Sequence, residues 1–257
     1  QRFETLEFTA RTIIKASLLG PVRYLTPAQI SASHLRGEPL AEFVPGSAAT
    51  REKELRQEVC SFVRRGYRQR LMTSTEGTFS ARLDHDTFLI TPFGIDRQAV
   101  EIEDLVLVSA AGREAGKQPS RAVLLHRGLY ARYPKIRAIV NAIPVNATAF
   151  SVTATPLDAR TIPESYLFLR DVPVVPFGRQ FEDGTSAAES ISPANPVALI
   201  ENDGALVLGT SVLDAFDRLE VLESTAEAVI DSRAIGPVHR MDDATIAELV
   251  AAFAKPK

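Results

Sequence analysis

One cysteine, Cys60, stands alone in 257 residues, so no disulfide can form within the chain. It falls beside the apolar series Leu55, Val59, Phe62 and Val63, the stripe a helix would bury. No apolar stretch approaches the ~20 uninterrupted residues that a membrane-crossing helix needs, and no signal-peptide pattern opens the sequence. The expectation is a soluble, cytoplasmic protein with no membrane partner. Basic excess is missing too. A net charge of -3 and a pI near 5.9 supply no concentrated positive field, which argues against a nucleic-acid partner. What is present is ordinary globular material, 45% hydrophobic and 24% charged, enough to bury one substantial core with an appendage.

Arg64, Arg65, Arg68 and Arg70 close a predicted helix over residues 49–71, whose first turns carry Glu52, Glu54 and Glu58. That order complements the helix macrodipole, and the arginines read as a solvated face. Residues 79–83 and 87–90 predict a hairpin around Asp84-His85-Asp86, and residues 102–108 another strand. Helical periodicity covers 121–133, a strand and the start of a helix follow over 137–152, and a second hairpin at 196–208 turns on Glu201-Asn202-Asp203-Gly204. A long helix over 214–233 closes the unit. Tight hairpin turns among interleaved helices favour a mixed or antiparallel sheet over a doubly wound parallel one.

The two ends of the chain repeat each other. With a constant offset of 216, Arg2 to Ile30 align with Arg218 to Ile246 without a gap, giving 12 identities in 29 positions. Gly20-Pro21-Val22 falls on Gly236-Pro237-Val238. Shared amphipathic spacing does not explain a shared Gly-Pro-Val stop; each copy reads as a helix ended by Gly and Pro, an extended piece, and a short second helix begun at Thr26-Pro27 or Asp242-Asp243. Self-similarity at a fixed period is the sign of a tandem array. Residues 1–40, the repeat of 217–251, are therefore expected to be the C-terminal tail of a preceding domain, with a Pro- and Gly-punctuated linker at 41–50 and the main domain at 51–257. An unrelated helical extension is the alternative.

Several segments of the main domain occur in an informative order: Gly77-Thr78-Phe79-Ser80-Ala81-Arg82, Leu89-Ile90-Thr91-Pro92-Phe93-Gly94, Pro119-Ser120 with His126 and Tyr130 downstream, and Asn202-Asp203-Gly204 followed by Ala215-Phe216 and Leu219-Glu220. As an ordered set they resemble the class II aldolase/adducin family. The resemblance implies an α/β fold of three layers, αβα, with a central mainly antiparallel sheet. It also implies a zinc ion on three histidines that polarises a carbonyl, a glutamate that moves the proton, and oligomers with sites at subunit interfaces.

This sequence departs from that pattern where the chemistry sits. Asn141 and Ile143 occupy the slots of the family's His-X-His, Asp203 that of the third histidine, and Ala122 that of the glutamate. Isoleucine cannot ligate, alanine cannot move a proton, and a carboxylate beside an amide matches zinc poorly. The expectation is a lost zinc site: no metal, no cofactor, no catalytic residue. His126 is expected to be structural, and His34, His85 and His239 lie in segments that do not converge. Phe177 falls loosely where some members have a tyrosine.

The phosphate slots fare better. Thr75, Gly77, Gly94 and Ser120 match family positions, while Thr78 and Arg121 replace an asparagine and a serine. A guanidinium at Arg121 can bind a phosphate or carboxylate, or pair with Asp203 in a purely structural repair, the use the missing zinc favours. Three functions stay open: a non-catalytic assembly copy joined to itself or to an upstream homologous domain in a tetrameric or pseudo-four-fold array, a sugar-phosphate or anion-binding module, and an altered-metal or zinc-independent aldehyde-lyase acting on a small sugar phosphate.

Overall fold

Period-two apolar runs set between amphipathic stretches give the chain its alternation of strands and helices. The computed structural model describes residues 2–33 and 40–253. Among these, helix α1 spans Arg2–Ser17 and α2 Pro27–Ser33, and strand β1 spans Glu42–Phe43. Helix α3 (Thr50–Arg68) leads to β2 (Thr78–Arg82), β3 (Phe88–Ile90), β4 (Val106–Ser109) and β5 (Gly112–Glu114). Then come α4 (Val123–Arg132), β6 (Ala138–Ala142), α5 (Val145–Ser151) and α6 (Pro163–Leu169). The chain finishes with β7 (Val174–Val175), β8 (Val197–Ile200), β9 (Gly204–Gly209), α7 (Val212–Ser232) and α8 (Asp243–Phe253).

The strands form one sheet in the order β1-β5-β4-β3-β2-β6-β9-β8-β7. The two edge pairs, β1 with β5 and β7 with β8, are parallel, and the pairs between them are antiparallel. Both faces are covered, so alternate residues of one strand serve two cores. In β6, Ala138, Val140 and Ala142 face the core shared with α1, α3, α5, α6 and α7, and Ile139 faces the core shared with α4. In β9, Ala205 and Val207 point the first way, Leu206 and Leu208 the second. This is the three-layer αβα arrangement expected from the family resemblance. Phe216 on α7 is fully buried against Phe62 and Phe79 at ring-centre distances of 5.1 and 6.1 Å, the kind of side chain whose truncation costs about 3–5 kcal/mol.

Local detail differs from the sequence reading in four places. The strand expected from residue 102 begins only at Val106, because the Asp104 carboxylate accepts from the Glu101 N–H at 2.8 Å and closes a turn first. The arginines at the end of α3 are not a purely solvated face: Arg64 donates to the Val100 carbonyl at 2.9 and 2.6 Å, Arg65 pairs with Glu220 at 2.8 Å and lies over the Phe216 ring, and Arg70 reaches Glu7 at 3.3 Å. The stretch read as a linker carries β1, hydrogen-bonded along β5 and tied by the Glu42–Arg113 pair at 2.6 Å. Helix α6 is an element the structure adds; Pro163 at its start supplies a preset φ where no N–H partner is needed.

The N-terminal helical segment is seated on the main domain. α1 packs against α5, burying Thr12, Ala16 and Leu19, and Val22 then bridges Thr153 in antiparallel fashion. The Arg23 N–H donates to the Val152 carbonyl at 2.7 Å, and the Thr155 hydroxyl to the Leu19 carbonyl at 2.9 Å.

Candidate functional site

The start of β2, the end of β6 and the start of β9 lie side by side, with Thr78 opposite Asn141, and Ala142 opposite Ala205. The turn that opens α4, the loop at residues 75–77 and the segment at 180–181 close around this end of the sheet. Between them is a cleft of about 190 Å³. Thr75, Gly77, Thr78, Ser120, Arg121, Ala122, Asn141, Ile143 and Asp203 all line it. Gly94 does not; it turns the chain at φ +72° just after Phe93, which does.

One side of the cleft is rich in donors. Gly77 holds φ +103°, and a Cβ there would come within 2.7 Å of the Met72 Cβ, so only glycine lets the loop approach this closely. The Thr78 and Ser120 hydroxyls share a 2.5 Å hydrogen bond across the wall. Beneath them lies Arg97, 2% exposed, whose guanidinium donates to the carbonyls of Gly77 at 2.9 Å, Ile95 at 2.8 Å and Thr75 at 3.4 Å. Among the described residues, no carboxylate lies within ion-pair reach of it. Burial pulls its pKa down to about 10, which still leaves it charged at neutral pH. The floor of this side is therefore a buried cation, held by backbone carbonyls and balanced only by the nearby Asp96 charge, with no direct salt bridge. Arg121 adds a second, exposed guanidinium at the rim.

The expected Arg121–Asp203 salt bridge is not formed. Asp203 instead accepts from the Gln180 amide at 3.3 Å. Desolvation pushes its carboxyl up to about 6, the Glu76 charge pushes in the same direction, and Arg121 and Gln180 offset part of this. Arg121 keeps its hydration, and drawing it down to a half-buried carboxylate would forfeit that hydration for one contact.

The other side is poor in ligands. Asn141 has its Oδ1 taken up by His126 Nε2 at 2.7 Å, while His126 Nδ1 meets the Ser80 hydroxyl at 2.7 Å, and Ser80 meets the Tyr130 hydroxyl at 2.8 Å. With Nε2 carrying the proton, the relay runs Tyr130 to Ser80 to His126 to Asn141. Burial pushes the His126 pKa down to about 4, so the ring is neutral and fixes the Asn141 amide with its NH2 as the group left to meet a ligand. Ile143 offers no donor atom, and Ala122 is a methyl group. A tetrahedral three-histidine zinc site does not fit this donor set. Among the described residues no group of three or more His, Cys, Asp or Glu stands close enough to hold a metal. His85 pairs with Asp86 at the β2–β3 turn, His239 follows α7 on the surface, and neither lines the cleft; His34 lies outside the described residues.

Residues 57–230 match the family of the class II aldolase and adducin N-terminal domain. The chain belongs to the class II aldolase/adducin family. Among its relatives is a 3-oxo-tetronate 4-phosphate decarboxylase of Escherichia coli, 30% identical over 189 residues that cover 69% of this chain and 87% of the relative. A methylthioribulose-1-phosphate dehydratase of Methylococcus capsulatus is 30% identical over 166 residues, covering 58% and 80%. The crystal structure of YgbL, a putative aldolase/epimerase/decarboxylase from Escherichia coli, superposes with a TM-score of 0.70 at 28% identity, covering 77% of this chain and 98% of that one.

Three features of this aldolase-family cleft had no sequence signal. Arg97 sits in a turn without periodicity, and only its burial reveals its role. Phe181, not Phe177, lines the cleft; the two rings meet edge to face at 5.7 Å. Gln180 and Phe181 reach it because Gly128 on α4 admits the following loop, where any Cβ would lie 1.7 Å from the Asp183 carbonyl oxygen. The turn bearing Asp203 is also braced from the N-terminal segment: Arg23 pairs with Glu201 at 2.9 Å, and the Asn202 amide donates to the Arg23 carbonyl at 2.8 Å.

Proposed function

We propose that this aldolase-family cleft binds the phosphate of a small sugar phosphate, and does so without the zinc-assisted proton abstraction of a three-histidine site. Thr75, Gly77, Thr78, Ser120 and Arg121 would hold the phosphate oxygens, and Asn141 the carbonyl or hydroxyl end. The observation that carries the reading is Arg97, a buried cation held by three backbone carbonyls, with the Asp96 charge near it but no carboxylate in salt-bridge contact, beneath a wall of hydroxyl donors. A dianion is the group that such a site lacks. The decarboxylase and dehydratase relatives support the ligand class, because their names place a phosphate on a short sugar or sugar acid. Calorimetric titration with dihydroxyacetone phosphate and fuculose 1-phosphate in the presence of chelator tests it: saturable binding that inorganic phosphate competes for is expected, and no heat with any sugar phosphate refutes it.

A second reading keeps chemistry. Asp203, whose carboxyl is raised by burial to about 6, is an ionisable group in the cleft able to exchange a proton near neutral pH. A chelator-resistant cleavage of a sugar phosphate that disappears in Asp203→Asn would establish it. In either case the degenerate slots Ala122, Asn141, Ile143 and Asp203 favour a domain that works beside a homologous one. The tandem arrangement inferred from the repeat supplies such a neighbour.

A further inference from the structure

The two copies of the terminal repeat bury opposite faces. In α7 the inner face lies on this domain's own core, with Leu222 and Ile230 at 0% and 1% exposure; the matching residues of α1, Leu6 and Ile14, are 68% and 64% exposed. The outer faces show the reverse. Ala16 and Leu19 are buried against α5, Leu19 to 6%, whereas their counterpart Ser232 is half-buried and Ile235 is 89% exposed.

The local backbone is the same in both copies. Gly20 has φ +155° and Gly236 φ +156°. The surroundings are not: a Cβ on Gly20 would touch the Thr155 hydroxyl at 3.6 Å, while one on Gly236 would meet nothing within 4 Å. Glu223 caps α5, accepting from the Asn146 and Ala147 N–H groups at 3.0 and 2.9 Å; the equivalent Glu7 has no such helix end and pairs with Arg11 and Arg70. Each copy therefore lacks the neighbour that the other possesses.

We propose that the outer face of α7 and the segment after it, through Ser224, Ala228, Ser232, Ile235 and Val238, is a docking surface for a second copy of this fold. It seats on that copy's α5 as α1 seats here. Charge sets which copies meet. Lys15 pairs at 2.8 Å with Asp231, its own repeat equivalent. When the C-terminal unit occupies the seat, Asp231 takes the place of Lys15, so the partner must present a basic residue at its own position 231. Like copies repel and unlike copies alternate, head to tail.

Two experiments on the full chain test this. In the first, the seated face of α1 is given the C-terminal copy's residues by Thr5→Val, Phe8→Ser, Thr12→Ala, Ala16→Ser and Leu19→Ile. The Arg23 amide, bonded to Val152, is expected to keep hydrogen-exchange protection within about tenfold of the parent. Exchange as fast as in a chain disrupted by Ala16→Asp and Leu19→Asp overturns the proposal.

In the second, the parent chain is mixed with a partner carrying Ala16→Asp, Leu19→Asp and Asp231→Lys, and sedimentation equilibrium is recorded. A complex of twice the 28.0 kDa chain mass is expected, weakened when the partner keeps Asp231 and lost when the parent carries Ile235→Asp. Absence of a complex with a folded partner, or one indifferent to Ile235 and residue 231, overturns it; where circular dichroism shows that partner unfolded, the exchange measurement decides.

Discussion

The two sides of one cleft have fared differently. The side built by the 75–78 loop, Ser120, Arg97 and Arg121 keeps hydroxyls, close backbone and two cations. The side built by Ala122, Asn141, Ile143 and Asp203 keeps one carboxylate and an amide already bonded to a histidine. Holding a phosphate requires only a summed field and several donors, and it tolerates replacement of single residues. Holding zinc requires three ligands at fixed distances, and one isoleucine defeats it. Binding can therefore outlast metal chemistry in the same fold.

Restoring ligands should reverse the difference most strongly. The triple substitution Asn141→His, Ile143→His and Asp203→His is expected to take up about one zinc per chain where the parent takes up none, read by metal analysis after dialysis. Failure would mean that the backbone as well as the side chains has left the family geometry. Arg97→Met comes next. It strips the hydrogen bonds from three carbonyls, should cost about 3 kcal/mol in urea unfolding, and should abolish sugar-phosphate binding. Stability lost with binding intact would reduce Arg97 to a strut.

Arg121→Ala should leave the unfolding midpoint in place, since its side chain is exposed, but lower sugar-phosphate affinity roughly 10- to 100-fold through loss of a charge-assisted pair. The smallest effect belongs to Asp203. Its carboxyl is raised from 3.8 to about 6 in the folded state, so folding favours the protonated form. That stability is full below about pH 4 and is lost as the pH rises through about 6. Asp203→Asn should remove this slope and gain about 1 kcal/mol at pH 7 relative to pH 4, after allowance for partial exposure. An unchanged slope would place the titration elsewhere.

The hairpins and the long closing helix were legible because period and turn chemistry are local, and the three-layer class came from the resemblance that the ordered motifs carry. The convergence of Thr75, Ser120, Asn141 and Asp203 on one cleft was likewise available from those motifs. Arg97 was not, since nothing in Ile95-Asp96-Arg97 distinguishes a buried guanidinium from a solvated one. Nor was the state of Arg121: the family slots with their missing zinc favoured a salt bridge with Asp203, and hydration at the rim against partial burial of the carboxylate decided otherwise. The arginines at the end of α3 teach the same lesson, being recruited by Val100, Glu220 and Glu7 from segments distant in sequence.

Calorimetry of the parent protein with dihydroxyacetone phosphate, run once with chelator and once with added zinc, tests the central claim most directly. Binding of equal affinity in both titrations, competed by inorganic phosphate, is the predicted result. Binding that appears only when zinc is present would contradict it.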